Sequence, residues 1–440
     1  MYNPHMMLRR LMGVDIIKVF SLNAISTLVR MLAGMISVKV IAVIIGPVGI
    51  ALLGQLNNFN SILLGLANGG INSGITKYVA EYKDDVQTVK LYTSNALRII
   101  LSCTGIVALV LIFGCRWLSK LVLLSDEYYY VFIVFGFTIV LYTLNGLLLS
   151  ILNGYKQFRK YVIVNICGTI LGLIYSVTLV SFFGLQGALI NAVTFQSVVF
   201  FITLWMCRKE LWCSMFFFEE NVDPAVVKKY LGYSLMTLTT LMLLPVSQML
   251  LRGYVISEIS ASEAGIWEGM NQISSMYLNV ITTSFIIYYL PRLSEITNNC
   301  ELRKEIFRCY KVFVPILLVI CVSIFLLRHF ILWLLFSPEF YPMENLFPWQ
   351  LIGDFFKISS WMLAYIMVAK ARTKSYIATE VFFTFAYIVL CFVFLRYNGI
   401  VGLVQGYLCV YILYLISMIY LFKNIIFQSD NGYPPNYKSS

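Results

Sequence analysis

Apolar runs of about 20 residues, each long enough to cross the hydrocarbon core of a bilayer, recur from one end of this chain to the other. Hydrocarbon offers no water to a peptide group, so each run must close its N–H and C=O groups internally, as a helix does. Composition agrees: 60% of the residues are hydrophobic, 12% are charged, and the mean hydropathy is +0.82. Soluble domains are about half apolar and a quarter charged. The expected fold class is an all-α polytopic membrane protein of about 12 transmembrane helices.

The runs lie near 19–45, 49–75, 92–114, 129–152, 161–183 and 185–206, then near 231–253, 264–290, 310–327, 346–369, 375–395 and 401–422. Breakers such as Gly46 with Pro47, Gly184, and Asn398 with Gly399 separate neighbours. Residues 1–207 are expected to form an N-terminal six-helix lobe and 231–440 a C-terminal one. The cytoplasmic linker between them, 208–230, carries Glu219, Glu220, Asp223, Pro224, Lys228 and Lys229. A Gly-Ile step opens the second run (Gly49, Ile50) and the eighth (Gly265, Ile266), a faint echo between halves that an even span count would make parallel repeats. Arg9, Arg10 and Lys18 precede the first run, which is too long for a signal peptide and reads as a retained span.

Placing both termini in the cytoplasm and alternating sides puts 24 of the 32 Lys and Arg residues at cytoplasmic ends and only Arg116, Lys120, Arg328 and Arg396 on the opposite side. The net charge of +11 is thereby explained by anionic lipid headgroups, at about 1 kcal/mol per basic residue, and nucleic-acid binding is not required. Ten cysteines are scattered without a Cys-x-x-Cys pair, and the two histidines, His5 and His329, form no cluster, so neither a metal nor a disulfide is expected. No phosphate loop or nucleophile elbow is present, which disfavours an ATP-driven pump.

Four cations remain inside apolar runs: Arg30 and Lys39 in the first, Arg252 in the seventh and Lys357 in the tenth. At roughly 2.5 to 3.5 kcal/mol each they cost about 10 kcal/mol together, so they are expected to line a wet cavity or to meet an anion. A pyrophosphate is such an anion, since guanidinium forks and ammonium point charges both suit phosphate oxygens. Against this stand snorkelling to an interface and structural ion pairing. Asp354 lies three residues before Lys357, on one helical face. The two either neutralise each other or work in turn, Asp354 taking up a proton or Na⁺ and releasing Lys357 for substrate. Glu268 is a second candidate coupling acid. Pro245 and Pro315 kink their helices. The amide-rich stretch from Gln55 to Ser61 gives the second run hydrogen-bonding capacity for sugar hydroxyls or for helix packing.

The segment Gly265 to Gly269 with Ile273 to Ser275, Phe285 and Leu290 to Ser294 resembles the Wzx flippases, as do Trp349 to Asp354 with Lys357, and Gly74 to Ala80. These flippases form the polysaccharide-transport branch of the MOP superfamily, and the likeness is greatest to its enterobacterial-common-antigen members. The resemblance implies a MATE-like bundle of two six-helix lobes around a cationic cavity in a bacterial inner membrane. It further implies alternating access that moves an undecaprenyl-pyrophosphate-linked oligosaccharide, such as an O-antigen repeat unit, outward. A proton or sodium gradient is the implied energy source, with no bound cofactor. Membrane lipids are expected partners, with polysaccharide polymerase machinery a further candidate. The family's basic positions fall on Arg30, Lys39, Arg252 and Lys357 and its acid on Asp354, while Glu268 departs from the amide expected there. A multidrug exporter of the same fold would prefer acidic cavity residues, and the four basic side chains argue against it. A multi-span polymerase or ligase would carry a large outward loop, and the outward loops expected here are short.

Overall fold

The computed structural model describes residues 4–210, 212–213, 222–370 and 372–427; residues 214–221 of the expected linker, with Glu219 and Glu220, lie outside the described residues. Every regular element described is helical. In chain order they are α1 (Pro4–Ala67), α2 (Asn72–Glu81), α3 (Val86–Phe113), α4 (Cys115–Leu123), α5 (Tyr129–Gly154), α6 (Phe158–Cys207) and α7 (Pro224–Glu258). There follow α8 (Ala261–Ser284), α9 (Leu290–Glu295), α10 (Asn299–Leu326), α11 (Arg328–Leu335), α12 (Phe347–Ala369), α13 (Thr373–Leu421) and α14 (Lys423–Ile426). A π-helical turn, Phe285–Tyr289, joins α8 to α9, and a 3₁₀ segment, Pro338–Leu346, leads into α12.

Among the described residues, helices long and apolar enough to cross a membrane are seven, and three of them are 42 to 50 residues long. Those three are broken at the glycines expected from the sequence: Gly46 in α1, Gly184 in α6 and Gly399 in α13 all have φ between 54° and 63°, a left-handed conformation that glycine adopts without a Cβ penalty. In α6 the break is a complete reversal. The Tyr175 hydroxyl meets the Thr194 Oγ1 at 2.9 Å, and Gly168 packs against Val199, a pair that a straight helix would hold about 46 Å apart. In α13 the Cys391 thiol likewise reaches the Leu403 carbonyl at 3.4 Å, and Gly406 lies against the Cys391 backbone.

The chain divides into two compact units, Met1–Gly269 with Leu332–Tyr341, and Met270–Ile331 with Pro342–Ser440. Among its described residues the first holds two apolar clusters. Leu56, Phe132, Phe135 and Val193 centre one of them, and Ile75, Tyr92, Leu147 and Tyr230 the other. The second unit packs Phe285, Tyr289, Met362 and Tyr414 around α12. Outside the apolar runs, local rules set the helix starts. Asp85 caps α3 by accepting from the Gln87 and Thr88 amides at 3.1 and 3.2 Å and from the Thr88 hydroxyl at 2.6 Å, which holds its carboxyl below the usual aspartate range. Asp223 caps α7 through the Ala225 amide at 2.8 Å, ahead of Pro224 in the first turn, where a missing N–H costs nothing.

Candidate substrate and coupling site

On α12, Gln350, Asp354, Lys357 and Trp361 recur at helical spacing and share one face. Asp354 is completely buried, and an ionised carboxylate without partners there would be prohibitively costly. It has four. Ser274 Oγ donates at 2.6 Å, Tyr407 Oη at 2.6 Å and Gln350 Nε2 at 3.2 Å, and the Tyr277 hydroxyl donates as well. The donors come from α8, α12 and α13, so this one side chain ties three helices of the second unit together. Gly353 makes room for it, because a Cβ there would overlap the Tyr407 ring.

Lys357 stays out of that set. Its ammonium lies over the rings of Trp361 (5.0 Å), Tyr407 and Tyr411 (both 5.4 Å), a cation–π arrangement of about 0.5 to 2 kcal/mol. Glu380 on α13 is within electrostatic reach of Lys357 and accepts from the Tyr414 hydroxyl at 3.0 Å. A cation held by ring faces keeps its hydrogen-bonding protons for an arriving anion, which a lysine sealed in a tight ion pair does not.

In the first unit, Arg252 is fully buried. Its Nη2 is paired with Glu268, its Nη1 donates to Gln55 Oε1 at 3.3 Å, and the guanidinium lies 5.6 Å from the Trp267 ring centre. Gln55 is itself fixed by donating to the Met249 carbonyl at 3.1 Å. Gly54 gives the Glu268 carboxylate its space, since a Cβ would run into it. The Arg252 Nε has no hydrogen-bond partner among the described residues. The structure thus joins two residues that the sequence placed in separate roles, and the guanidinium is turned to Glu268.

Lys39 donates from Nζ to the Trp333 and Phe336 carbonyls, both at 2.8 Å. These are carbonyls at the C-terminal end of α11, where helices leave unpaired acceptors and favour a cation. Arg30 is exposed on α1 and makes no ion pair among the described residues. Arg252, Lys39 and Arg30 therefore occupy three different environments of the first unit. Along the second apolar run, Asn60 Nδ2 donates to the Ala192 carbonyl at 3.2 Å, while buried amide atoms of Asn58, Asn60, Asn68 and Asn72 lack partners among the described residues. Such a seam is suited to water or hydroxyl groups.

Sequence reasoning found Asp354 and Lys357 but missed their surroundings: Ser274, Tyr277, Gln350, Trp361, Glu380, Tyr407 and Tyr411. A signal was present. Gln350, Asp354, Lys357 and Trp361 follow one another at i, i+4, i+7 and i+11, and Tyr407, Tyr411 and Tyr414 at i, i+4 and i+7 inside otherwise apolar runs.

Comparison with known proteins agrees with this architecture. The chain is 29% identical to the Lipid III flippase of Escherichia coli (strain K12) over 392 residues, 89% of this chain and 94% of that protein. Among solved structures it is similar to an inward-facing multidrug resistance MATE family transporter of the MOP superfamily, with a TM-score of 0.77 at 15% identity, covering 91% of this chain and 98% of the other. It is also similar to the Lipid II flippase MurJ in an inward closed conformation, with a TM-score of 0.70 at 12% identity, covering 92% and 87%. These likenesses show that the chain shares the fold of those transporters. The family model described as polysaccharide biosynthesis protein matches residues 16–297, and the chain belongs to that family.

Proposed function

We propose that this chain is a flippase that carries a lipid-linked oligosaccharide, an undecaprenyl-pyrophosphate-linked repeat unit, from the cytoplasmic to the periplasmic leaflet of a bacterial inner membrane. The observation that carries the reading is Lys357: a membrane-depth ammonium resting on three aromatic rings beside a carboxylate that other donors already satisfy. The ammonium attracts a phosphate, and the flat faces of Trp361, Tyr407 and Tyr411 offer apolar surface to sugar or prenyl groups. The family membership and the identity to a Lipid III flippase support the same substrate class.

In this reading Lys357 and Arg30 bind the anionic linker, with Lys39 and Arg252 contributing when their present partners release them. Asp354 is the proton or Na⁺ acceptor that couples an ion gradient to alternating access, with Glu268 as a second coupling carboxylate. Transport needs no covalent step, and no side chain is assigned a catalytic role. Both termini lie in the cytoplasm. Four intramembrane cations also favour an anionic cargo over the lipophilic cations of a multidrug exporter.

The test is a chromosomal deletion complemented with wild type or with Lys357→Ala expressed to equal level. Deletion removes surface polysaccharide and accumulates a lipid-linked repeat unit on the cytoplasmic leaflet; wild type restores export and Lys357→Ala does not. Unchanged surface polysaccharide in the clean deletion ends the proposal, and broad drug resistance on overexpression favours the exporter.

A further inference from the structure

The first three turns of α10 carry a stripe that the transport reading does not use. Arg303, Lys304, Phe307, Arg308 and Lys311, with Cys300, are spaced as one helical face and line a groove of about 400 Å³ with no acidic side chain in its lining among the described residues. At roughly 100° per residue the stripe lies opposite Leu302, Glu305, Ile306, Cys309 and Leu317, the buried face of the same helix. That buried face packs on α12, where the Tyr310 hydroxyl donates to the Ser359 carbonyl at 2.5 Å. The stripe therefore looks away from the core of the second unit and from the Asp354 centre.

Its continuation decides what it meets. Past Lys311 the same face runs through Pro315, Leu318, Val319 and Val322, all exposed, so a cationic end passes directly into an apolar end along one helix. A soluble phosphate would need only the first part and a soluble protein would not need a bilayer-deep apolar strip. A membrane lipid needs both, its headgroup among the cations and its acyl chains along the leucine and valines.

We infer that this face of α10 is a binding site for an anionic phospholipid of the cytoplasmic leaflet, with the headgroup phosphate held by Arg303, Lys304, Arg308 and Lys311 and one acyl chain laid along Leu318 and Val322. Lipids with two phosphates bind better than those with one, because the four cations extend over about 12 Å of helix axis. The inference stands independently of the cargo, since it concerns the exposed face of α10, opposite the buried face that packs on α12, rather than the Lys357 centre.

The experiment is native mass spectrometry of the full chain with added cardiolipin, phosphatidylglycerol or phosphatidylcholine. Wild type is compared with Arg303→Gln/Lys304→Gln/Arg308→Gln/Lys311→Gln and with Lys77→Gln/Lys83→Gln/Lys90→Gln/Arg98→Gln, which removes the same charge elsewhere on that side. Wild type retains cardiolipin over phosphatidylcholine, and the α10 variant loses at least about tenfold of that preference while the control keeps it. Equal loss in both variants, or none in the first, overturns the site. Displacement of the phospholipid by an extracted lipid-linked oligosaccharide reassigns it to cargo and also overturns the proposal. Hydrogen exchange of wild type in nanodiscs needs no variant: anionic lipid slows exchange in 300–311 selectively, and uniform exchange across lipid types sinks the idea.

Discussion

Asp354 and Lys357 stand one turn apart on α12, yet the carboxylate is taken by four hydrogen-bond donors and the ammonium by three aromatic rings. In the proposed transport reading, an incoming anion displaces ring contacts at Lys357 rather than breaking a direct ion pair. In that reading a proton on Asp354 removes the negative charge beside Lys357 and strengthens the net positive field there, so that ion uptake is proposed to be linked to anion binding through one buried cluster.

Tyr407 serves both groups, because its hydroxyl donates to Asp354 Oδ1 and its ring faces Lys357. Tyr407→Phe keeps the ring and deletes the donor, so it is expected to cost about 1 to 2 kcal/mol and to impair export. Tyr411 contributes its ring to the lysine, and Tyr411→Phe is expected to be nearly silent. Thermal denaturation in detergent together with surface-polysaccharide titre separates the two; equal behaviour would show that the Tyr407 hydroxyl is immaterial.

Asp354→Ala leaves buried donors from Ser274, Tyr277, Gln350 and Tyr407 without an acceptor, a loss of about 3 kcal/mol or more. Asp354→Asn keeps an acceptor oxygen and approximate shape, so it is expected to fold but to lose the ion dependence of transport. Reconstituted transport measured with and without a proton or sodium gradient checks this. Gradient-dependent transport by Asp354→Asn would remove Asp354 from the coupling role.

Lys39 is expected to act as a cap for α11 in this state. Lys39→Met strips two carbonyls of their donor and is expected to lower stability by about 1 to 2 kcal/mol, while Lys39→Arg retains most of it. A binding role shows itself differently: if Lys39→Arg is fully stable yet fails to export, the residue also meets cargo in another state.

Asp85 gives the fold one acid-sensitive element outside the bilayer. Its carboxyl is held below the usual range chiefly by the Thr88 hydroxyl and then by the Thr88 amide. The cap's contribution is therefore present in full above the unfolded-state value and is lost as pH falls through the lower folded-state value. Asp85→Ala is expected to be less stable than wild type at neutral pH and to converge with it under acid, as followed by melting temperature against pH. A pH-independent gap would refute the assignment.

Much of this was legible in the sequence because the bilayer leaves little choice. Long apolar runs must be helices, and Gly46, Gly184 and Gly399 had to break them, since continuous helices of 42 to 50 residues overshoot the membrane. Asp354 and Lys357 were legible as charges too costly to be incidental. Their partners were not, because whether Tyr407 lies beside residue 354 depends on how α13 reverses at Gly399 and packs on α12. The same limit hid the pairing of Arg252 with Glu268, sixteen residues apart across the α7–α8 joint, and the capping of α11 by Lys39, which involves residues nearly 300 positions away.

The Arg252–Glu268 pair gives the sharpest energetic test, because the two readings of Arg252 predict opposite results for a double substitution. Removing only Arg252 leaves the partly buried Glu268 carboxylate against Gly54 with its charge partner gone, and Arg252→Met is expected to cost about 3 kcal/mol. Removing both charges with Arg252→Met/Glu268→Gln deletes the desolvation burden along with the attraction, and stability is expected to return to within about 1 kcal/mol of wild type. If the pair is purely structural, the stable double variant exports normally. If Arg252 leaves Glu268 to meet the anionic linker during the cycle, the double variant is stable and inactive, and Glu268→Gln alone then loses the gradient dependence of transport if Glu268 is a coupling carboxylate and keeps it if Glu268 only holds the guanidinium.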